Sequence, residues 1–300
     1  MQIKPPITFD AQLDKLKARG CIVTDEAFAR MKLEQINYYR LTAYFLPFLQ
    51  ADGTYKPGTT FDGVYRVYEF DRKLRGLILS AVEEIELMLR TQLSYYHAHK
   101  YGALGYMDAA NFKPYHNHAR LLEHIEQAIV RNRAKPFVQH HVKQYGGKFP
   151  LWAIIELFTV GELSRFYADM HRADKKTLAR SLYRTTDSNV SSWLLCMSNL
   201  RNDCAHYARL YYTMFGTVPA TPNGFSYRLR DRVFDYILVL KFLYPDPMQW
   251  QHTFMNALAA LIEEYQDAID MRCIGFPRDW EKVLLASNPV TGQLKNAERF

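Results

Sequence analysis

Apolar residues recur at three- and four-residue steps along most of this chain, which is the spacing of one face of an α-helix packed on a core. The longest such stretch, residues 64–101, contains no Pro and predicts a helix of roughly nine or ten turns. The same period predicts shorter helices at residues 9–19, 24–33, 36–47, 116–135, 137–145, 152–170, 174–181, 233–243 and 249–265. We therefore predict an all-α protein.

The most informative helix is predicted at residues 193–212, with the sequence WLLCMSNLRNDCAHYARLYY. At about 100° per residue, its apolar side chains form one stripe, made of Trp193, Cys196, Met197, Leu200, Cys204, Tyr207 and Tyr211. The opposite arc is polar and contains Ser198, Asn202 and Arg209, with Arg201 and His206 on its two shoulders. We expect this helix to pack on the core and to present the polar arc to a ligand.

Arg201 and His206 suit chemistry on a phosphodiester. About 140° separates them around a straight helix, and the small Ala205 leaves room between them. The Arg side chain is a planar fork of donors that matches phosphate, and imidazole exchanges a proton near neutral pH. Because RNA carries a 2′-hydroxyl nucleophile, this pair could cleave RNA without a metal ion. Equally, Arg201 could cap an acidic neighbour, and His206 could be a satisfied polar residue at a helix contact.

The composition is that of a globular protein with some preference for a polyanion. Of the 300 residues, 48% are hydrophobic and 23% are charged, which is enough to bury a core. An excess of Lys and Arg gives a net charge of +7, which favours a nucleic-acid partner. The four cysteines form no CxxC pair, and neither a leader peptide nor a long apolar window is evident. We therefore expect reduced thiols, no membrane span and a cytoplasmic location.

Sequence motifs for cofactor chemistry are missing. The chain contains no GxxxxGK[ST], GxGxxG or GxSxG motif, and its histidine pairs belong to no HExxH or Cys/His ligand set. We therefore predict neither a metal site nor a cofactor. The run of Arg228, Arg230 and Arg232 is consistent either with a phosphate-contacting rim or with a solvated face.

Two acid–base pairs are predicted on the long helix, at four-residue spacing. Glu69 precedes Lys73, and Glu86 precedes Arg90, in the order that stabilises an exposed helix. If Glu86 and Arg90 are buried instead, we expect them to orient the arc that carries Arg201 and His206.

Six segments carry a resemblance to a known family. In chain order they are INYYRLTAYFLPF at 36–48, GTTF at 58–61, YEFDRKLR at 68–75, EEIELMLRTQL at 83–93, LWAIIELFTVGELSRFY at 151–167 and LRNDCAHYARLYY at 200–212. Together they resemble the bacterial abortive-infection proteins of the Abi-D/F-like family. That family in turn resembles the HEPN superfamily (higher eukaryotes and prokaryotes nucleotide-binding), in which an Arg-x4-6-His motif on a helix is the ribonuclease signature.

The resemblance implies a fold. It predicts a HEPN-like helical bundle at residues 63–245, with an additional N-terminal helical segment and loop at 1–62. A C-terminal helix and tail would occupy residues 246–300, and all three segments would form one body.

The resemblance also implies roles for the residues of the motif. Arg201 would bind phosphate and stabilise the transition state, His206 would be the general base or acid, and Asn202 would orient them. Many members of the superfamily dimerise so that two motifs face each other, which implies RNA as the partner of a homodimer with a composite site. From the helical pattern alone we add Arg209, one turn past His206, as a contact to the RNA backbone. An antitoxin or a phage-derived trigger would be a further partner, and the sequence identifies neither.

The chain departs from the family pattern at two positions. The family often continues as AHHxRLW, and here Tyr207 and Tyr211 replace the second histidine and the tryptophan. Neither position belongs to the minimal Arg/His pair, so the departures bear on substrate positioning. In a toxin branch of the superfamily a tyrosine two places after the histidine is modified by a partner enzyme, but here that position is Ala208.

Three hypotheses from different classes follow. The first is a metal-independent endoribonuclease that limits phage propagation. The second is a non-catalytic RNA-binding or sensor module in which the same residues hold a phosphate. The third is a protein-interaction component of a defence system, in which Arg201 and His206 are structural.

Overall fold

Helices account for nearly all regular structure in the chain. The structure is a computed structural model and describes residues 5–286. The helices of the first half are α1 (Phe9–Ala18), α2 (Glu26–Gln35), α3 (Tyr38–Thr42), α4 (Phe61–Tyr101), α5 (His118–Arg131), α6 (Pro136–Tyr145) and α7 (Leu151–Ile154). Those of the second half are α8 (Val160–Asp169), α9 (Arg172–Tyr183), α10 (Asp187–Ala205), α11 (Val233–Leu243), α12 (Pro247–Trp250), α13 (Asn256–Tyr265) and α14 (Trp280–Leu285). Residues 5–286 contain no strand, so the all-α prediction is confirmed.

The long helix α4 is the element on which the other helices pack. The Thr60 side chain caps its first turn by accepting from the Gly63 N–H at 3.0 Å, and Gly102 ends it with a φ of 84°. Its buried stripe, which includes Leu74, Ile78 and Ile85, packs against α7, α8, α10, α11 and α13. The helix predicted at 64–101 is therefore confirmed, with a start three residues earlier.

The helix α10 lies against α4, α8, α9 and α11, and its polar end forms the candidate site. Thr186 caps its first turn by accepting from the Asn189 N–H at 3.2 Å. Gly161 of α8 approaches α10 closely, because a Cβ built there would lie 3.4 Å from the Ser198 Oγ. Small residues at this crossing bring α8 close to α10.

The single helix predicted at 152–170 is wrong, because the chain breaks between α7 and α8. A 3-10 turn, Ile155–Leu157, follows α7, and α8 begins with a capping box. In that box the Thr159 Oγ1 accepts from the Glu162 N–H, and the Glu162 carboxylate accepts from the Thr159 N–H. The Arg90 guanidinium of α4 satisfies carbonyls at the break, those of Ile155 and Phe158. The break is therefore stabilised by a tertiary contact that helical periodicity does not report.

Two predicted helices differ in extent from the structure. The helix predicted at 36–47 divides into α3 and a 3-10 turn, Leu46–Phe48. Between α4 and α5 the chain forms two 3-10 turns, Gly105–Met107 and Ala109–Asn111. The helix predicted at 249–265 starts at Pro247 and includes a π-turn, Gln251–Met255, between α12 and α13. The first four residues of the predicted N-terminal segment, and residues 287–300 of the predicted tail, lie outside the described residues.

Of the two acid–base pairs predicted on α4, one is confirmed and the other is wrong. Glu86 and Arg90 do form an ion pair, whereas Glu69 pairs with Arg72 at 3.1 Å. Lys73 reaches across to Glu264 of α13 at 2.5 Å, because α13 packs on this face of α4. A neighbouring helix therefore displaces the local pairing predicted for Lys73.

Candidate functional site

The helix that carries the Arg/His motif ends earlier than predicted. α10 stops at Ala205 and not at Tyr212, and Tyr207 takes a left-handed conformation with a φ of 60°. The Tyr207 N–H donates to the Cys204 carbonyl at 3.1 Å, and the Ala208 N–H donates to the Asp203 carbonyl at 2.8 Å. This is the Schellman arrangement that terminates helices, here with a tyrosine where glycine is usual. The chain then leaves the helix direction, so residues 207–212 do not extend the polar arc.

A buried ion pair on α4 explains why the helix stops. The Asp71 carboxylate accepts from the N–H groups of Leu210 and Tyr211, at 3.0 and 2.9 Å. The Arg75 guanidinium bonds to Asp71 at 2.6 Å and donates to the Ala208 carbonyl at 3.1 Å. These bonds use the backbone groups that a continuing helix would pair internally.

Sequence reasoning missed Asp71 and Arg75, although a signal was present. Both charged residues fall on the apolar stripe of α4, beside Leu74 and Ile78, and both are buried. A charged pair at four-residue spacing on a buried helix face indicates a polar partner from elsewhere in the chain.

The short helix α3 clamps the segment after the turn. Arg40 donates to the Tyr207 carbonyl, and its guanidinium lies 5.9 Å from the centre of the Tyr207 ring. Arg209 donates to the Ala43 carbonyl and lies within 6 Å of the Tyr44 and Tyr212 rings, at 5.9 and 5.8 Å. At least part of the Arg209 guanidinium is therefore used to hold the fold, and the contact to RNA predicted for Arg209 stays a prediction.

Arg201, Asn202 and His206 differ from these arginines because their side chains are uncommitted. Within residues 5–286 none of the three side chains forms a hydrogen bond, salt bridge or ring contact. Asn202 and His206 are exposed, and Arg201 is half-buried. His206 keeps its helical position, because its N–H still donates to the Asn202 carbonyl at 2.9 Å. The three predicted residues thus lie within the last turns of one helix with their polar groups free for a ligand.

A polar stripe connects His206 to a cavity beside the motif. Asn202 and Asp203 follow Asn199 by three and four residues and precede His206 by four and three, so these side chains share a face of α10. The cavity has a volume of about 300 Å³ and is lined by Asn199, Asn202, Asp203, Thr213, Met214, Phe215, Gly216 and Tyr236. Burial raises the pKa of the Asp203 carboxyl, and the nearby His206 opposes that rise. Arg201 is separated from His206 by about 140° around α10, and it does not line this cavity.

Arg90 is buried and Glu86 is half-buried, but their contacts lie away from the Arg/His motif. Arg90 is 8% exposed, and it bonds to Glu86 and to the carbonyls at the α7–α8 break. Among the described residues neither side chain bonds to Arg201 or His206, so the predicted orienting role is wrong. The pair instead fixes the start of α8, which packs on α10.

The Arg228, Arg230 and Arg232 run divides between two roles. Arg232 donates to the Cys273 carbonyl at 2.7 Å and caps α11 together with Asp235, whereas Arg228 and Arg230 are exposed. Arg232 is therefore structural, and only the other two arginines are available to a ligand.

The histidine pairs of the sequence do not come together with acidic groups. Within residues 5–286 no group of three or more His, Cys, Asp or Glu side chains could hold a metal ion. His97 is fully buried against the rings of Tyr101, Phe112 and Phe166, and burial lowers its pKa to about 4. The cysteines in the described part of the chain are free, as predicted.

Comparison with known proteins supplies the family. The family model described as Abi-like protein matches residues 31–212, which is more than half of the 300-residue chain. The chain belongs to the Abi-like protein family. The match begins in α2 and ends at Tyr212, so it includes the motif, the Asp71–Arg75 pair and the α3 clamp. Abi-like proteins are abortive-infection proteins, which assigns the chain to phage defence.

Two further searches add no relative. No curated protein and no solved structure matches the chain. No helix within residues 5–286 has the length and apolar character needed to cross a bilayer. What this Abi-like protein does chemically must therefore be argued from the end of α10 itself.

Proposed function

We propose that this Abi-like protein is a metal-independent endoribonuclease of the HEPN type, with Arg201, Asn202 and His206 as its catalytic residues. The observation that carries the proposal is the contrast among charged side chains around the end of α10. Arg40, Arg75 and Arg209 each donate to a backbone carbonyl, whereas Arg201 and His206 bond to nothing in the described chain. Because Asn202 and His206 are exposed and Arg201 is half-buried, water can hydrate these groups, and a ligand can bind them without breaking a bond of the fold.

The proposed reaction is an intramolecular transesterification of RNA, in which phosphorus exchanges its bond to the 5′-oxygen for a bond to the 2′-oxygen. A neutral His206 imidazole takes the proton of a ribose 2′-hydroxyl, and the 2′-oxygen then bonds to the adjacent phosphorus. The bond from phosphorus to the 5′-oxygen breaks, and that oxygen takes a proton from an imidazolium. The products are a 2′,3′-cyclic phosphate and a free 5′-hydroxyl. Arg201 donates to the non-bridging oxygens as their charge grows, and Asn202 positions the phosphate.

Two copies of the chain complete the proposed site. Within one chain, about 140° around α10 separates Arg201 from His206, so the two side chains do not point at the same atom. A homodimer in which two α10 ends face each other would place Arg201 of one copy against His206 of the other. It would also supply two imidazoles, one neutral and one protonated, as acid–base catalysis requires.

The test is cleavage of total cellular RNA by the purified full chain in excess EDTA. We expect the parent protein to cut RNA and leave 2′,3′-cyclic phosphate ends, and we expect His206→Ala and Arg201→Ala to leave RNA intact. The matched controls are His252→Ala and Arg278→Ala, because both side chains are exposed and lie outside the motif. Cleavage by the controls, with none by the motif variants, supports the proposal.

Equal cleavage by the parent and by both motif variants would contradict the assignment. The separation of Arg201 from His206 within one chain also favours a second function, in which the protein binds RNA without cutting it. Intact RNA in every reaction, together with salt-dependent binding that Arg201→Ala weakens, would establish that function instead.

A further inference from the structure

The cavity beside the motif contains polar groups that the proposed chemistry does not use. Asn199 and Asp203 are half-buried, and neither side chain forms a hydrogen bond within the described residues. The other polar side chains of the cavity are committed, because Tyr236 donates to the Thr217 carbonyl at 2.8 Å and Thr213 donates to the Arg209 carbonyl at 2.5 Å. The Asp203 carboxylate and the Asn199 amide are therefore free, beside the Asn202 amide that the proposed chemistry uses.

The position of the cavity links it to the bond that would be cut. Asp203 and Asn202 precede His206 by three and four residues, so they lie within about one helical turn, or 5.4 Å, of it along the axis. Asp203 interacts electrostatically with both Tyr236 and His206. Burial, then Cys196 and then the Asp203 charge raise the pKa of Tyr236, and His206 opposes the rise that burial causes in the pKa of Asp203. A group in the cavity would belong to the nucleotide whose phosphate or ribose meets His206.

The size and walls of the cavity suit a planar group. Its volume of about 300 Å³ is at the lower end for ligand pockets. The centres of the Phe215 and Tyr236 rings lie 3.9 Å apart beside the cavity, and both side chains are buried, at 8% and 1% exposed. The cavity therefore offers a base chiefly its polar groups, and bases of single-stranded RNA are recognised by hydrogen bonds to their pairing edge.

The free groups discriminate among the four RNA bases. A carboxylate offers two acceptor oxygens side by side, and an amide offers a donor and an acceptor. Guanine is the only RNA base whose pairing edge presents two adjacent N–H donors, at N1 and N2, beside a carbonyl acceptor at O6. In cytosine and adenine the amino group is next to an acceptor nitrogen, and in uracil the single N–H lies between two carbonyls. Those three bases would place an acceptor against the carboxylate.

We propose that this cavity binds a guanine base of single-stranded RNA, with the Asp203 carboxylate accepting from N1–H and N2–H and the Asn199 amide donating to O6. The proposal deepens the proposed ribonuclease function and rests on it for the link to cleavage. It assigns Asp203 and Asn199 to substrate recognition, and it predicts cuts beside guanosine.

The test begins with binding, so that it does not depend on catalysis. Calorimetric titration of the full-length parent with the four ribonucleoside 3′-monophosphates should show guanosine 3′-monophosphate binding at least about tenfold more tightly than the other three. Asp203→Asn should remove that preference, because the amide presents one acceptor and one donor where the carboxylate presents two acceptors. Asn199→Ala should weaken guanine binding several-fold, and Asn223→Ala, an exposed asparagine in a loop away from the cavity, should not.

The outcomes separate the cavity from the cleavage chemistry. Equal affinity of the parent for all four nucleotides, or an unchanged preference in both Asp203→Asn and Asn199→Ala, would overturn the guanine site. If Asp203→Asn does not fold, the nucleotide preference of Asn199→Ala alone tests the guanine site. If the parent cleaves RNA, the mapped ends should lie beside guanosine, and Asn199→Ala should lose that preference. If the ends produced by the parent show no preference for guanosine, the guanine site is overturned and the ribonuclease assignment stands. Guanine binding by a protein that cuts no RNA would support the site and refute the nuclease.

Discussion

The Asp71 carboxylate accepts a hydrogen bond from the Tyr211 N–H at 2.9 Å and so joins the middle of α4 to the segment that leaves the candidate site. The same carboxylate bonds to Leu210, Tyr44 and Arg75, and Asp71 is fully buried. The end of α10 is therefore positioned by a charge on another helix and not by its own sequence alone.

Removing that carboxylate should destabilise the whole protein. In Asp71→Ala a buried Arg75 loses its partner and two backbone N–H groups lose their acceptor, so we expect a loss of about 3–5 kcal/mol in the free energy of unfolding. Urea unfolding followed by circular dichroism measures the change. Glu34→Ala, which breaks an exposed ion pair to Arg30, is the matched control and should cost less than about 1 kcal/mol. Similar losses in the two variants would show that Asp71 does not organise the turn.

Arg201 and Arg209 should separate stability from activity. Arg209→Ala removes a donor to the Ala43 carbonyl and a guanidinium beside two aromatic rings, so we expect it to cost about 1–3 kcal/mol in stability. Arg201→Ala removes no contact within the described chain and should change stability by no more than about 0.5 kcal/mol. Thermal unfolding and RNA cleavage measured on the same preparations give the comparison. A large loss of stability in Arg201→Ala would indicate a structural role and would contradict the site.

The left-handed tyrosine offers a test of the turn itself. Tyr207 has a φ of 60°, which costs a residue with a Cβ about 1–2 kcal/mol relative to glycine. Tyr207→Gly should therefore be more stable than Tyr207→Ala by about 1 kcal/mol, because both variants lack the ring and differ in strain alone. Denaturant midpoints of the two variants measure the difference. Alanine and glycine variants of equal stability would mean that the turn relaxes once the ring is removed.

Much of the fold, and less of the site, could be predicted from the sequence. The apolar period of residues 64–101 and 233–243 determines α4 and α11, because burial of one face, or of the whole helix, dominates their energetics. The same period continues through Tyr207 and Tyr211, and no glycine or proline marks the end of α10. That helix ends because Asp71 and Arg75 bind the backbone more than 130 residues away. Local patterns carry no information about such a contact.

In the candidate site, too, positions along a helix could be predicted from the sequence, whereas contacts between distant segments could not. The positions of Arg201 and His206 around α10 follow from its helical period, because Arg201 lies in the helix and the His206 N–H still donates to the Asn202 carbonyl. The tie between Arg209 and the Ala43 carbonyl, and the cavity at Asn199 and Asp203, depend on α3, α11 and the loop after Tyr212. Their assembly is a tertiary property, and sequence reasoning therefore missed Asp203.

His97 should make the stability of the protein sensitive to acid. Burial lowers the pKa of this histidine from 6.5 to about 4, and neither ring nitrogen has a partner in the described chain. Asp174 opposes that shift, whereas His171 and Lys100 add to it. Because the folded pKa lies below the unfolded one, the unfolded chain binds more protons between pH 6.5 and 4. The contribution of His97 to the free energy of unfolding is therefore fully present above about pH 6.5, and it falls as the pH drops towards 4, by about 2 kcal/mol at pH 5.

Urea midpoints of the parent and of His97→Phe at pH 7 and pH 5 measure this effect, with the exposed His252→Gln as control. We expect only His97→Phe to lose the part of the acid sensitivity that His97 causes. Equal pH dependence in all three proteins would mean that His97 is not held neutral by the core.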